Sequence, residues 1–391
     1  MSEQHYKQIY DPVHGFITIT PLMQNIIDTS EFQRLRDLKQ LGAVHYVYPS
    51  AVHTRFEHSL GVSHLAGIMA ETLIRSTSVK IKNLERSIEL VRIAGLIHDI
   101  GHGPYSHLYD NYIKYSDEPD HEERGCKIFK NMVHKYNLFL SKEEVQVIID
   151  MIVPPKELCL NWWYQIVANK NCQLDVDKID YIERDCFHTG VKFGGEWTRL
   201  LKQCEIKTVD GHKQIAWPKK LEYEIFQLFA TRYRLHRQVY NHHTVKAYEY
   251  CIANILRAVK RKGIDFINMT DSIVTYRLHD EWKEIQDKIF CRDIPKLVGE
   301  RILKMEGPIE GPNPRTVLNI IIEKIPIGFS SGEENPLKKV PLFDKNGEIS
   351  RIDPTMNLCI PNIHREVILR WYNTVPSLHK KAISDWKEEN K

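Results

Sequence analysis

Apolar residues recur at intervals of three and four along the first 300 positions, the period that lays one face of a helix against a core. In EFQRLRDLKQL (31–41) they fall at Phe32, Leu35, Leu38 and Leu41, which predicts a helix with one apolar stripe. Across 56–76, Val62, Leu65, Met69 and Leu73 share a face, and His58 falls on it too. A further helix is predicted over about 83–99, ended by GHGP (101–104), because glycine and proline both break helices. Shorter helices are expected around 105–114 and 120–136. LDVDKIDYIERDC (174–186) sets Asp177, Tyr181 and Asp185 at spacing four, on one helical face. A long helical region is expected over about 221–262, with Arg232, His236, Tyr240 and His243 sharing a face.

Beyond about residue 300 the pattern changes. RTVLNIIIEKI (315–325) is rich in β-branched residues and reads as strand, and PLFDKNGEISRI (341–352) carries Asn346-Gly347, a hairpin turn. GFSSGEENP (328–336) is polar and reads as a mobile loop. The chain therefore divides into a mainly α region, 1–300, and a smaller α/β lobe, 301–391. It contains no internal repeat and no low-complexity tract.

Composition narrows the function classes. With 42% hydrophobic and 27% charged residues over 391 positions, the chain is an ordinary globular protein able to bury a sizeable core. A net charge of +3 demands no polyanionic partner, so nucleic-acid binding would rest on local clusters such as RAVKRKG (257–263) and the arginine-rich stretch 232–237. The eight cysteines are scattered without a C-x-x-C pair, which reads as reduced core residues. The start, MSEQHYKQIYDP, lacks a signal-peptide pattern, and no apolar run reaches the roughly eighteen residues a membrane span needs. An intracellular protein, cytoplasmic or nuclear, is expected.

Histidine changes the picture most. There are 19, and His53, His58, His64, His98, His102, His107 and His121 crowd into one stretch among carboxylates, which suggests metal or acid–base chemistry. His98 and Asp99 are adjacent, and adjacent helical residues point about 100° apart, so they can share an ion only near a helix end or across a wide site. The Gly-His-Gly that follows loosens the backbone there. His58 and Asp177 would complete a set of two histidines and two aspartates, suited to one divalent transition metal (iron, zinc or manganese) and tolerant of magnesium. Such an ion could bind a phosphate oxygen and acidify a water. A His-Asp pair alone is a weak sign, since His58 also reads as a hydrogen-bonded core histidine and Asp177 as a capping carboxylate. The joint occurrence of all four carries the metal reading.

RFEHSLGV (55–62), AGLIHDIGHGPYSH (94–107), DHEE (120–123), DVDKIDYIERDC (175–186) and TRYRLHRQVYNH (231–242) occur in this order. In these motifs the sequence resembles the HD-domain superfamily of phosphohydrolases and, within it, the deoxynucleoside triphosphate (dNTP) triphosphohydrolases. The resemblance runs from about Lys7 past residue 300 and implies a mainly α, all-helical HD core followed by the smaller C-terminal lobe. Vertebrate members carry a sterile-alpha-motif domain first. Here DPVHG begins at residue 11, so the chain is expected to correspond to the catalytic core.

The resemblance also implies roles. His58, His98, Asp99 and Asp177 match metal ligands. Arg55, Lys178 and Arg232 match phosphate-binding residues, with Mg2+ expected on the triphosphate. Tyr181 and Asp185 match contacts to the deoxyribose, Gln40 and Leu41 flank its 3′ position, and Tyr240 and Asn241 lie near the base. Vertebrate members have glutamine at the last position, so Asn241 keeps the amide on a shorter stem. The implied reaction splits a dNTP into a deoxynucleoside and inorganic triphosphate by water attack on the α-phosphorus. His107 is the general-acid candidate, since an imidazolium is available near neutral pH. Asp110, one helical turn on, would orient it, and His102 and His121 would surround the α-phosphate.

Vertebrate members form tetramers that bind activating nucleotides. Lys7, Asp28, Gln33, Arg36 and Arg292 resemble a guanine-selecting activator site for GTP or dGTP, and Arg199 and His242 resemble parts of a second site. Tyr10 stands where the family has asparagine, QIAWPKK (214–220) lacks a family arginine, and Glu334 stands in place of a lysine. A homo-oligomer, dimer or tetramer, is expected. Two other readings stay open: a different HD-domain nucleotide phosphohydrolase or phosphodiesterase, and a nucleic-acid-binding protein on the same scaffold with weak single-strand affinity.

Overall fold

Two long helices, Arg55–Arg75 and Leu84–Ile97, pack against each other at the centre of the computed structural model. The Arg55–Arg75 helix buries Val62, Leu65, Met69 and Leu73, the stripe its sequence predicts, and packs its other side on the Val176–Thr189 helix. The description covers residues 6–77, 83–192, 194–195, 197–264, 266–275, 282–303, 315–317, 319–330, 334–353, 360 and 363–389.

Helices His121–Lys135 and Lys142–Ile152 each start at a side-chain cap, Asp120 and Ser141, which accepts a free first-turn N–H. The Val176–Thr189 helix starts in the same way at Asp175, which accepts from the Lys178 amide. The described parts of the chain are thus mainly helical, with small sheets added. An N-terminal hairpin pairs Lys7–Asp11 with Gly15–Ile19. One antiparallel sheet runs in the order Lys296–Leu303, Arg365–Asn373, Ile320–Gly328, Arg315–Val317. A second joins Glu205–Val209 and His212–Pro218 to the hairpin Pro341–Phe343/Ile349–Arg351, with His212–Pro218 parallel to Pro341–Phe343. One apolar core runs through both regions, from Leu65 and Ile97 to Leu337, Leu342 and Tyr372.

The fold departs from expectation in four places, the first being that the mainly helical region 1–300 also holds the strands Lys7–Asp11, Gly15–Ile19, Glu205–Val209 and His212–Pro218. Over 31–41 the predicted helix is only a turn, Ser30–Gln33, followed by the 3-10 turn Arg34–Asp37, and then Lys39 bridges to Thr54. Phe32, Leu35 and Leu38 are still buried, because the stripe is satisfied by a tighter turn and an extended segment. The 221–262 region is interrupted. Helix Glu222–Leu235 widens into a π turn, His236–Tyr240, before the Asn241-His242 break and helix His243–Arg261. RTVLNIIIEKI is divided between two antiparallel strands, Arg315–Val317 and Ile320–Gly328. Residues 331–333 of the polar 328–336 loop and Cys359 lie outside the described residues, and Pro336–Lys339 forms a 3-10 turn. The other seven cysteines are free thiols. Among the described residues, no helix is long and apolar enough to cross a membrane.

Candidate active site

The Leu84–Ile97 helix ends at His98, so the backbone turns away just where His98 and Asp99 must face one point. His58 comes from the first turn of the Arg55–Arg75 helix and Asp177 from the first turn of Val176–Thr189. Their ligand atoms converge. His58 Nε2 lies 3.0 Å from Asp177 Oδ1, 3.2 Å from His98 Nε2 and 3.4 Å from Asp99 Oδ2. His98 Nε2 lies 3.4 Å from Asp177 Oδ1 and 3.5 Å from Asp99 Oδ1.

Both imidazoles commit Nδ1 elsewhere: His98 donates to the Gly95 carbonyl at 2.7 Å, and His58 donates to Asp180 Oδ2 at 2.7 Å. Each Nε2 lone pair is therefore left facing the centre, beside two carboxylates. Bonds of about 2.0–2.2 Å to one ion separate neighbouring ligand atoms by roughly 2.9–3.5 Å, which is the spacing found here. His58, His98 and Asp177 fit one divalent ion, and the two Asp99 oxygens lie 3.4 and 3.5 Å from the His58 and His98 imidazoles. The surrounding carboxylates favour positive charge here: burial opposes charge on His58, yet Asp177 and Asp180 outweigh it and push the imidazole up to about 10, so a bound ion would take the place of the Nε2 proton. Burial likewise opposes charge on Asp99, but Arg55, His98 and His102 hold its carboxyl well below the usual range.

This cluster opens on a cavity of about 730 Å3. Its walls include all the expected phosphate, sugar and base residues: Gln40, Leu41, Arg55, Lys178, Tyr181, Asp185, Arg232, Tyr240 and Asn241. Arg55 pairs with Asp99 and donates to Ser106 Oγ at 3.0 Å. Arg232 donates to the Tyr181 hydroxyl at 3.1 Å and to the Gly328 carbonyl at 2.6 Å, which ties the sheet to the helical wall. Lys178 lies 3.7 Å from Asp175. Asp185 accepts from His53 at 2.7 Å and from the Tyr240 hydroxyl at 2.5 Å.

His102, His107 and His121 form a second group on the same cavity. Gly101 makes this possible, because a Cβ there would run into the backbone of His121 and Gly125. The rings of His102 and His121 stack at 4.0 Å, and His107 stands edge-on to both. His102 Nε2 lies 3.3 Å from Asp99 Oδ1. One expectation changes here. Asp110 turns its carboxylate to Arg124 (2.6 Å), His121 (3.6 Å) and His102 (3.8 Å), and is engaged there instead of orienting His107. The spacing of three residues put Asp110 on the right helix but not on the right side. The His107 ring is open to the cavity yet surrounded by protein. Enclosure, then Arg55 and His121, make its imidazole harder to protonate than an ordinary histidine.

The π turn brings His236 into the cavity with Arg232 and Tyr240, whereas His243 is outside the cavity lining. His236 was legible only as a position four residues from each. His53 and Asp180 also went unassigned in the sequence. The pair Asp180 and Arg184, at i and i+4, was the available signal for the latter. Lys246 and Glu249 line the cavity as well.

Among the described residues, none of the effector candidates lines the cavity. Lys7, Asp28, Arg36 and Arg292 are exposed, and Arg36 donates to Gln33 at 2.8 Å. Arg292 donates to the Tyr46 carbonyl at 3.3 Å. Arg199 pairs with Glu224, His242 accepts from the Thr244 amide, and Glu334 pairs with Lys339 at 2.5 Å.

Comparison with known proteins agrees with this arrangement. The HD domain family model matches residues 55–185, the span that carries His58, His98, Asp99 and Asp177. The chain is 32% identical to deoxynucleoside triphosphate triphosphohydrolase SAMHD1 of Bos taurus, covering 94% of this chain and 74% of that protein. It is 30% identical to the Homo sapiens protein of the same name (94% and 70%) and 36% identical to the SAMHD1 homolog of Dictyostelium discoideum (92% and 74%). An HD-domain match centred on the converging His/Asp cluster, within similarity that spans nearly the whole chain, places this protein in the HD-domain family of deoxynucleoside triphosphate triphosphohydrolases.

Proposed function

We propose that the protein hydrolyses dNTPs to deoxynucleoside and inorganic triphosphate in this cavity. One observation supports it above the rest. Residues from five separate stretches of chain, suited to a metal, a triphosphate and a sugar, line a single cavity. The relatives are named for this activity.

His58, His98, Asp99 and Asp177 would hold one divalent ion, either iron, zinc or manganese. When bound, it supplies a Lewis acid for a phosphate oxygen and lowers the pKa of a water. Arg55, Lys178 and Arg232 hold the triphosphate, which arrives as its Mg2+ complex. Tyr181 and Asp185 face the sugar, with His53 and Tyr240 fixing the Asp185 carboxylate. Gln40 and Leu41 close on the 3′ side, and Asn241 reaches toward the base. His107 donates a proton to the departing 5′ oxygen. The polyanionic substrate brings negative charge beside the ring, which favours the imidazolium in the complex over the free enzyme. His102 and His121, steadied by Asp110 and Arg124, complete the polar wall around the α-phosphate.

Guanine-nucleotide activation through Lys7, Asp28, Gln33, Arg36 and Arg292, in a homo-oligomer, belongs to the same reading, as does an intracellular location. Arg199 and His242 would contribute to a second effector site. Nucleic-acid binding has less support, because Lys260 of the basic run is paired with Glu118 at 2.7 Å and lies over the Tyr115 ring at 3.8 Å. Incubation with each dNTP, with and without GTP, alongside a solution mass, tests this account. Inorganic triphosphate supports it, while pyrophosphate or a monophosphate product points to another HD-domain hydrolase. Full activity as a GTP-independent monomer would remove the regulatory part.

A further inference from the structure

The two imidazoles of the cluster are oriented by different means. His98 donates to a main-chain carbonyl, Gly95 O, within its own helix. His58 depends on a side chain, Asp180, one helical turn beyond Asp177. Asp180 is fully buried and receives four N–H groups. His58 Nδ1 (2.7 Å) and Arg184 Nε (3.0 Å) reach one oxygen, while His14 Nε2 (2.6 Å) and Arg184 Nη2 (3.0 Å) reach the other. Arg184 also donates to Asp11 Oδ2 at 2.8 Å. Asp11 Oδ1 in turn accepts the backbone amides of Val13 and His14, at 3.0 and 2.9 Å. The chain of contacts thus ends in the turn of the N-terminal hairpin, far from Asp180 in sequence.

Packing leaves this arrangement no freedom. Gly61, one turn after His58, faces the Asp180 carboxylate and the Arg184 guanidinium so closely that a Cβ would overlap both. The network is buried, and each carboxylate in it has a cationic or N–H partner.

We propose that Asp180, braced by Arg184, Asp11 and His14, is the positioning residue for His58, making the turn of the N-terminal hairpin a working part of the metal site. This rests on the metal-site reading given above. By accepting from Nδ1, Asp180 fixes the tautomer that leaves Nε2 as a lone pair toward the ion and sets the direction of the ring. His14 and Arg184 keep that carboxylate in place, so a change in the hairpin turn reaches the ion through two hydrogen bonds.

Metal affinity of the full-length protein, separate from activity, tests this. Wild type and the variants Asp180→Asn, His14→Ala and His14→Gln are stripped with a chelator. They are then titrated with Co2+, read by visible absorption and by competition with a chelator of known affinity. Asp180→Asn should bind Co2+ about 10–100-fold more weakly with a shifted spectrum. His14→Ala should bind it about 3–10-fold more weakly, and His14→Gln, which keeps an N–H for Asp180, should lie near wild type. The thermal midpoint of the metal-free proteins separates positioning from stability, because a purely structural role lowers the midpoint and leaves Co2+ affinity unchanged. If Asp180→Asn does not fold, the His14 pair decides. Loss in Ala with recovery in Gln supports the link, and wild-type affinity in both overturns it. Failure of the wild type to take up Co2+ would overturn this inference and the metal reading together.

Discussion

His58 and His98 turn their Nε2 atoms to within 3.2 Å of each other while each donates its Nδ1 proton elsewhere. Two lone pairs beside two carboxylates make a stable arrangement only around positive charge. Chelator treatment should therefore reduce hydrolysis to background, with recovery on adding Mn2+ or Fe2+. The double change His98→Ala, Asp99→Ala should lose both bound metal and hydrolysis yet keep its helical circular dichroism. It should melt earlier, because loss of Asp99 leaves Arg55 buried with only neutral partners, a cost of about 3 kcal/mol. Hydrolysis by the metal-free protein would contradict this account.

Arg232 joins two parts of the molecule, donating to Tyr181 on one helix and to the Gly328 carbonyl at the end of a strand. Replacing it with lysine keeps the charge but not the planar fork that spans both partners. Arg232→Lys should lower kcat/KM for dNTPs by about 10–100-fold, the loss of one charge-assisted hydrogen bond of roughly 1.5–3 kcal/mol. A rate within twofold of wild type would remove Arg232 from the phosphate clamp.

The Tyr240 hydroxyl and His53 hold opposite oxygens of Asp185. Tyr240→Phe removes one of these restraints and leaves the other. It should cost about 10-fold in kcat/KM, near 1.4 kcal/mol, and narrow the preference for dNTPs over ribonucleotides, with little effect on melting. Paired assays with dATP and ATP would measure this. An unchanged preference would place Asp185 away from the sugar.

His64 offers a test of folding rather than catalysis. Burial, with His14 and Arg92 nearby, pushes its imidazole down to about 4, below the ordinary 6.5. Between those values the unfolded chain binds a proton that the folded chain does not, so the stability tied to neutral His64 is complete above about pH 6.5 and lost as pH falls toward 4. Thermal midpoints measured from pH 4 to 7 should fall less steeply in His64→Gln than in wild type. Parallel curves would show that His64 does not titrate in this window.

Much of this was legible in the sequence because the cavity residues sit on helices with strong periodicity. His58 and Asp177 each fall in the first turn of a helix whose apolar face is plain, and Tyr181 and Asp185 follow Asp177 at spacing four. Asp110 was misdirected because spacing along one helix says nothing of Arg124, which approaches from another helix and captures the carboxylate. The helix over 31–41 failed for a related reason. Arg34 is drawn to the carbonyls of His102 and Met269, contacts that a local pattern cannot show. The π turn at His236–Tyr240 adds a residue to the helical repeat, which separates His243 from the face that the 3.6-residue period assigned to it. Asp180 and His53 act through partners more than a hundred residues away in the chain.

In the proposed reaction, water attacks the α-phosphorus of a dNTP and expels the 5′ oxygen of the sugar. Hydrolysis of dGTP by the metal-loaded protein in H2 18O, followed by mass spectrometry of both products, tests it most directly. Deoxyguanosine without label and inorganic triphosphate carrying one 18O are expected. Label in the nucleoside, or release of pyrophosphate with a labelled nucleoside monophosphate, would contradict it.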